Sequence, residues 1–433
     1  MRDEDIKTSK TDKIIVINMM NKTTKTIRTG NWWKVALVVG MMVVGMAGKV
    51  EAVGNPWWGF QSVDTMKYSR DMAGQMQGDA TFDSLIDQQV KEIANTGATH
   101  VGIATPYDAE FVPVLKRWVK AARKYNLKVW FRGNLSGWEG WFGYGRIDKS
   151  QHMKLIDEFI RGNPDLFVEG DIFTPCPECE NGGSGDPRVV GGVSEFRQFL
   201  IDEQKVADEA FRSIGANVRT NLLSMNADIA RLIMDPETTK TLGGIVTIDH
   251  YVGTPEKLAA DVVEIEAKSG GKVVLGEFGV PIPDIHGVMT EAEQAAWIGK
   301  SLDLLVRDPN FLGVSYWTGV GGSTQLWDSQ GDPRQAVAVL TEFFTPKVIS
   351  GKVVNTAGIG IKNAQIVVGP RKTVSESGGK FKIAYLTQDQ EKMTVKASGY
   401  EPVESEPGEK VVLTPVASNY WWRWWGWLRG LVG

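Results

Sequence analysis

Cysteine is almost absent from this chain: its 433 residues hold two, Cys176 and Cys179. Two cysteines cannot build a disulfide framework, so stability has to come from a buried core. Histidine is equally scarce, with four widely spread residues that make a poor metal set. Excess positive charge is missing too: the net charge of −4 provides no general pull toward nucleic acid. No glycine-rich phosphate turn follows the first β-rich run, W-W-G-F-Q-S-V-D at 57–64, which argues against a doubly wound nucleotide-binding sheet. The apolar run from Val35 to Gly48 falls short of the about 20 residues that span a membrane comfortably.

What remains is ordinary globular composition, 42% hydrophobic and 23% charged, in a chain long enough for one large domain and a small one. The surplus is tryptophan, 16 residues. A flat apolar ring with one N–H suits stacking on sugars or seating at a membrane interface.

Residues 1–52 read as a targeting segment. Lys22, Lys25, Arg28 and Lys34 precede the apolar run, and V-E-A at 50–52 places small residues where a signal peptidase reads, with cleavage after Ala52. An uncleaved anchor with Trp32 and Trp33 at the interface is the competing reading. Either route predicts an extracytoplasmic protein, secreted or held at the cell surface.

From Trp57 to Phe344, short β-rich runs alternate with amphipathic helical stretches. The runs fall at 57–64, 99–105, 128–134, 165–173, 217–224, 244–252, 272–280 and 311–320. Helical spacing is clear at 82–94 and at 194–211, where Phe196, Phe199, Leu200, Val206, Ala207 and Phe211 recur at spacings of three, four and six to seven. Eight β/α units in about 290 residues predict an α/β fold, a (β/α)8 TIM barrel over 55–345. Residues 346–416 lose the helical period and keep short strands separated by Gly, Asn and Ser turns, which predicts a small all-β sandwich. The tail 417–433 clusters Trp421, Trp422, Trp424, Trp425 and Trp427 beside Arg423 and Arg429, and reads as an interfacial membrane contact.

Barrels of this kind carry their chemistry at the C-terminal strand ends. Those ends present Arg132 and Asn134, then T-P-C-P-E-C-E-N-G-G at 174–183, then Asn221 and Ser224, then Asp249, His250 and Tyr251, then Glu277 and Trp317. Glu277, in V-V-L-G-E-F-G-V-P, follows a β-branched run and lies between two glycines that would admit a substrate closely. As a structural acid it would pair with an arginine such as Arg132; as a nucleophile it would need a second carboxyl about 5–5.5 Å away. Strand four faces strand seven across the pocket, and Glu178 or Glu180 would supply that acid. Tyr251 would donate to Glu277, and Trp317 would floor the sugar site.

G-E-F-G on strand seven, Asp-His-Tyr on strand six and a Trp ending strand eight resemble the clan A glycoside hydrolases, the cellulase-like superfamily, over about residues 55–345. The resemblance implies Glu277 as nucleophile and Glu178 as acid/base, with Glu180 as the alternative. It departs at strand four, where Pro177-Glu178-Cys179 stands in place of Asn-Glu-Pro, and at strand two, where the family's Arg is absent from H-V-G-I-A-T-P and Arg132 on strand three would take its place. I-S-G-K-V-V, N-A-Q-I-V-V, S-E-S-G-G-K-F and A-S-G-Y resemble carboxypeptidase regulatory-like (transthyretin-like) modules, which implies an accessory domain and no peptidase activity.

The resulting expectation is an exported retaining glycosidase acting on a polysaccharide or oligosaccharide, with no cofactor, metal or nucleic-acid partner. Arg132, Asn134, Trp138, Trp141, Asn221, His250, Tyr251 and Trp317 are its candidate binding residues. Trp57 and Trp58 are sugar platforms or core, Asp64, Lys67 and Arg70 are solvated loop charges, and Glu139 is open. Two other classes compete: a non-catalytic carbohydrate-binding barrel, and a thiol oxidoreductase or metalloprotein centred on C-x-x-C. Pro175 and Pro177 flank the first cysteine, so the helix N-terminus that activates such thiols is missing. The pair reads instead as a local disulfide stiffening the loop that aims Glu178.

Overall fold

The computed structural model describes residues 55–183, 186–189, 192–389, 392–406 and 410–416. The expected leader (1–52) and the Trp-rich tail (417–433) lie outside the described residues. All eight β-rich runs contribute a strand: β1 (Phe60–Asp64), β2 (His100–Ile103), β3 (Lys128–Phe131), β4 (Ile172–Phe173), β5 (Ser224–Asn226), β6 (Ile245–Asp249), β7 (Lys272–Phe278) and β8 (Phe311–Tyr316). They are parallel and ordered β4-β3-β2-β1-β8-β7-β6-β5. The two end strands meet through the chain leading into β5: Phe173 N–H donates to Arg219 O at 2.8 Å, and Arg219 N–H donates to Asp171 O at 2.9 Å. Eight parallel strands curled in cyclic order, with intervening helices, fit a (β/α)8 barrel.

Two runs differ from expectation. Pro164–Leu166 winds into a 3-10 turn, which leaves only Ile172–Phe173 as strand four. The fifth strand starts at Ser224, the last residue of its predicted run.

Side-chain alternation decides what faces the barrel interior. Phe60, Trp130, Ile172, Leu222 and Val274 form one apolar layer inside, while Val63, Phe131, Ile248 and Leu275 join the larger core shared with the helices. Four residues on from Phe60 and two on from Trp130, the same alternation turns Asp64 and Arg132 inward. A register shift between Ile248 and Asp249 sets Asp249 opposite Glu277. The long helix Gly192–Ser213 buries Phe196, Phe199, Ala207 and Phe211, as its spacing implies; each buried Phe contributes about 1.5–3 kcal/mol.

Beyond the barrel lie β9 (Lys347–Asn355), β10 (Gln365–Val368), β11 (Arg371–Val374), β12 (Lys380–Tyr385), β13 (Met393–Lys396), β14 (Val403–Ser405) and β15 (Lys410–Leu413). They make one sheet ordered β11-β10-β13-β14 and another ordered β12-β9-β15. Val353, Ile366, Ile383, Val395 and Leu413, drawn from both sheets, share one apolar cluster. Arg371 ties this region to the barrel by donating from Nη2 to Asp303 Oδ1 at 2.6 Å, while its Nε donates within the region to Asp389 Oδ2 at 2.8 Å. Among the described residues, no helix is long and apolar enough to cross a membrane.

Candidate active site

Arg132 organises the C-terminal end of the barrel. Its guanidinium is buried and donates to Glu277 Oε1 at 2.7 Å, Asp249 Oδ2 at 3.1 Å and Gly276 O at 2.8 Å. Asp64 Oδ2 lies 3.4 Å from Nε, an ion-pair contact without hydrogen-bond geometry. Trp130 packs beneath, its ring centroid 4.9 Å from Cζ. Burial opposes the Arg132 charge, but Asp249, Glu277 and Asp64 outweigh it and hold the group protonated above its ordinary value. Burial also pushes Asp64 up to about 7, with Arg132 opposing, and pushes Asp249 up in the same way.

Such an array tolerates loss of its cation poorly. Arg132→Met leaves three buried acids facing one another and is expected to destabilise the fold by about 3–5 kcal/mol. Urea unfolding of the purified variant measures this, and an unchanged midpoint refutes it.

Glu277 has donors on both oxygens: Arg132 on Oε1, and Tyr251 Oη on Oε2 at 2.8 Å. This suits a carboxylate anion held in one orientation. The glycines of G-E-F-G admit the protein's own groups rather than a substrate, which corrects the expectation for them. A Cβ on Gly276 would lie 2.4 Å from Asp249 Oδ1 and 3.0 Å from Arg132 Nη1, and one on Gly279 would lie 2.1 Å from Trp317 O.

Cys176 and Cys179 are joined in a disulfide, both buried. Between them Glu178 adopts φ 44° and ψ 46°, a left-handed conformation uncommon for a side-chain-bearing residue. Its N–H donates to Ser224 O at 2.9 Å, and its carbonyl accepts from Asn181 N–H at 2.9 Å. Burial pushes the Glu178 carboxyl up to about 8, and the nearby charge of Glu277 adds to the shift. Glu180 is engaged elsewhere: its Oε1 accepts from Asn226 N–H at 2.7 Å and from Asn226 Nδ2 at 3.0 Å. Burial raises it as well, with the bonds from Asn226 opposing. Of the two, Glu178 is the carboxyl electrostatically linked to Glu277, and among the described residues no side chain clamps it.

The aromatic candidates divide. Trp317 stands perpendicular to Tyr251, with centroids 6.1 Å apart, beside Glu277. Lys67 Nζ sits 5.5 Å from its ring centroid, and Arg70 lies 4.9 Å from that of the partly exposed Trp141. Trp138 is no sugar platform: it is fully buried, stacks on Phe199 at 5.3 Å and donates to Cys179 O at 3.2 Å. Trp58 is core as well.

Three polar candidates point away from the site. Asn134 is buried and spent within the fold. Its Nδ2 donates to Glu139 Oε1 at 2.6 Å, and its Oδ1 meets Leu135 N–H and His152 Nε2, each at 2.8 Å. Asn221 precedes β5 and reaches Gly243 O at 3.4 Å, in the turn before β6. That turn lies at the opposite end of the barrel. His250 follows the inward Asp249, so alternation turns it outward, where Nε2 meets Asp261 Oδ2 on the helix Pro255–Ser269 at 2.8 Å. Arg132, Tyr251, Glu277, Glu178 and Trp317 remain together.

The sequence reading missed two contributors. Asp64 is fully buried rather than a solvated loop charge; its period-two spacing from Phe60 and Ser62 was the available signal. Asn226, which holds Glu180, had no local signal, because its partner is contributed by another β/α unit. Glu139, left open, is a further carboxyl near Glu178: burial raises it, the Asn134 bond opposes, and its charge adds to the Glu178 shift.

No protein-family model matches the sequence, and no curated protein matches it. Solved structures do resemble the fold. A GH5_18 protein from Bifidobacterium longum subsp. longum, solved with Manβ1-4GlcNAc, superposes with a TM-score of 0.50 at 14% identity, covering 68% of this chain and 81% of that one. An FMN-binding β-glucuronidase from Facaelibacterium prausnitzii L2-6 follows at TM-score 0.43 and 12% identity, covering 76% of this chain and 53% of that one. A Ruminococcus gnavus β-glucuronidase, in complex with D-glucuronic acid, reaches TM-score 0.43 at 12% identity, covering 60% and 46%. The chain thus spans about half the length of those two β-glucuronidases. At these identities the first likeness speaks for the fold alone.

Proposed function

We propose that the chain is a retaining glycoside hydrolase cleaving β-linked saccharides, with Glu277 as nucleophile and Glu178 as acid/base. One observation carries this reading. Two carboxyls share a buried site in opposite conditions: Glu277 is met by donors on both oxygens, whereas Glu178 is pushed up to about 8 and keeps its proton at neutral pH. Glu178 gives that proton to the glycosidic oxygen as the bond to the anomeric carbon breaks and Glu277 Oε bonds to the same carbon. Water then attacks from the vacated side and gives its proton to Glu178, and Glu277 leaves as carboxylate. Tyr251 and Arg132 hold the nucleophile, and Trp317 supports the sugar ring.

Proton NMR of the first hydrolysis product from a panel of β-linked oligosaccharides tests the mechanism. Retention at the anomeric carbon is expected; inversion overturns it, and hydrolysis of no member by the wild type overturns the enzymatic reading.

The disulfide supports the placement of Glu178. A ring this short restrains few unfolded conformations, roughly 2 kcal/mol at most. Cys176→Ala/Cys179→Ala is therefore expected to fold, yet to lower kcat on an oligosaccharide about tenfold through a loosened Glu178. Equal kcat for the two proteins contradicts that role.

The two C-terminal sheets are proposed to form a carboxypeptidase regulatory-like sandwich serving adhesion or spacing. Export, by the segment 1–52, and surface contact through 417–433 complete the proposal. Full-length protein appearing only in the cytoplasmic fraction of expressing cells excludes both.

A further inference from the structure

A cleft of about 600 Å³ opens between the barrel and the C-terminal sheets, lined by Trp57, Arg307, Arg371, Lys372 and Lys382 together with Pro56, Val306 and Pro370. Trp57 precedes β1, and Arg307 lies in the turn before β8, so the cleft sits at the N-terminal ends of the strands. It is remote from Glu277 and cannot be a subsite of the same groove. Among the described residues, four cations line it and no carboxylate does. Arg371 and Arg307 are offset by Asp303 and Asp389 just behind the wall. Lys372 and Lys382 are exposed and have no ion pair among the described residues. Arg371 is buried, its guanidinium packed 5.3 Å from the Trp57 ring centroid, and its Nη1 has no hydrogen-bond partner among the described residues. A concave wall that carries four cations, two of them exposed lysines, favours an anionic ligand.

We infer that this cleft is a non-catalytic binding site for an acidic oligosaccharide, independent of the chemistry at Glu277. The volume lies in the range that holds a drug-sized or short saccharide ligand, whereas a single phosphate would leave most of it empty. Apolar Pro56, Val306 and Pro370 suit the C–H faces of sugar rings, while Trp57 backs the wall by packing on Arg371 and Phe343, and the lysines, on separate strands β11 and β12, suit carboxylates carried along a chain. Bound there, the ligand would bridge the barrel and the C-terminal sheets.

Calorimetric titration of the full chain with tetragalacturonate, neutral cellotetraose, inorganic phosphate and phosphatidylglycerol vesicles tests the inference, in wild type and in Lys372→Glu/Lys382→Glu. Both lysines are exposed, so the variant is expected to fold, with an unfolding midpoint that confirms it. Tetragalacturonate is expected to bind wild type, to weaken with added salt, and to bind the variant at least roughly tenfold less tightly. Turnover of any catalytic substrate is expected to stay equal in the two proteins. No binding by wild type, equal binding by the variant, or equal affinity for cellotetraose overturns the inference. So does phosphate binding as tightly as tetragalacturonate, or vesicle binding without it.

Discussion

Glu277→Ala is expected to lower kcat by roughly 10⁴–10⁶, the order seen when a covalent nucleophile is deleted. The loss is chemical rather than structural. Glu277 adds to the electrostatic burden on Asp64 and Asp249, and its removal relieves them while leaving Arg132 beside two acidic side chains. The unfolding midpoint should therefore move little, in contrast to Arg132→Met. Azide added with an activated aryl glycoside is expected to restore turnover. It enters the space left by the carboxylate and gives a glycosyl azide of inverted configuration. A kcat within tenfold of wild type removes Glu277 from the mechanism.

Glu178→Ala is expected to separate substrates by leaving group. An oligosaccharide expels a poorly acidic alcohol that needs a proton, so its hydrolysis should fall about 10²–10⁴-fold. A dinitrophenyl glycoside departs unaided, and its bond cleavage should change little. Azide should yield a product of retained configuration here, and Glu180→Ala should show none of this pattern. The pH profile carries the same information. Glu178 acts as an acid only when protonated, so wild-type kcat/KM should fall as pH rises through about 8, and Glu178→Gln should abolish that limb. Stability follows the same proton. With the folded carboxyl at about 8 against an unfolded value near 4.5, the native state binds more protons between those values, and its unfolding free energy falls as pH rises across the window. Urea midpoints at pH 5 and pH 8 should differ less in Glu178→Gln than in wild type. A uniform loss on both substrates would make Glu178 structural instead.

The local pattern predicted much of this architecture. Strand runs and helical faces are one-dimensional signals, which is why each of the eight runs contributes to a strand and the helix Gly192–Ser213 covers the predicted helical stretch. Their ends were less legible: Pro164–Leu166 winds into a turn, and β5 begins late. That second shift moved Asn221 to the wrong end of the barrel and brought Asn226 to the right one. Trp138 and Asn134 misled for a different reason. A tryptophan or an asparagine near a strand end has the same local signature whether it faces a ligand or Phe199 and His152.

By itself the sequence determined the order of eight β/α units, the later change to short strands, and which carboxylates end strands four and seven. These follow from composition and spacing along the chain. Tertiary structure alone decided which acid is clamped and which is free. Asn226 takes Glu180, the Cys176–Cys179 ring holds Glu178 in a left-handed turn, and Arg132 gathers Asp64, Asp249 and Glu277. The physical reason is that burial and charge neighbours set protonation, and both arise only when distant strands close into one barrel.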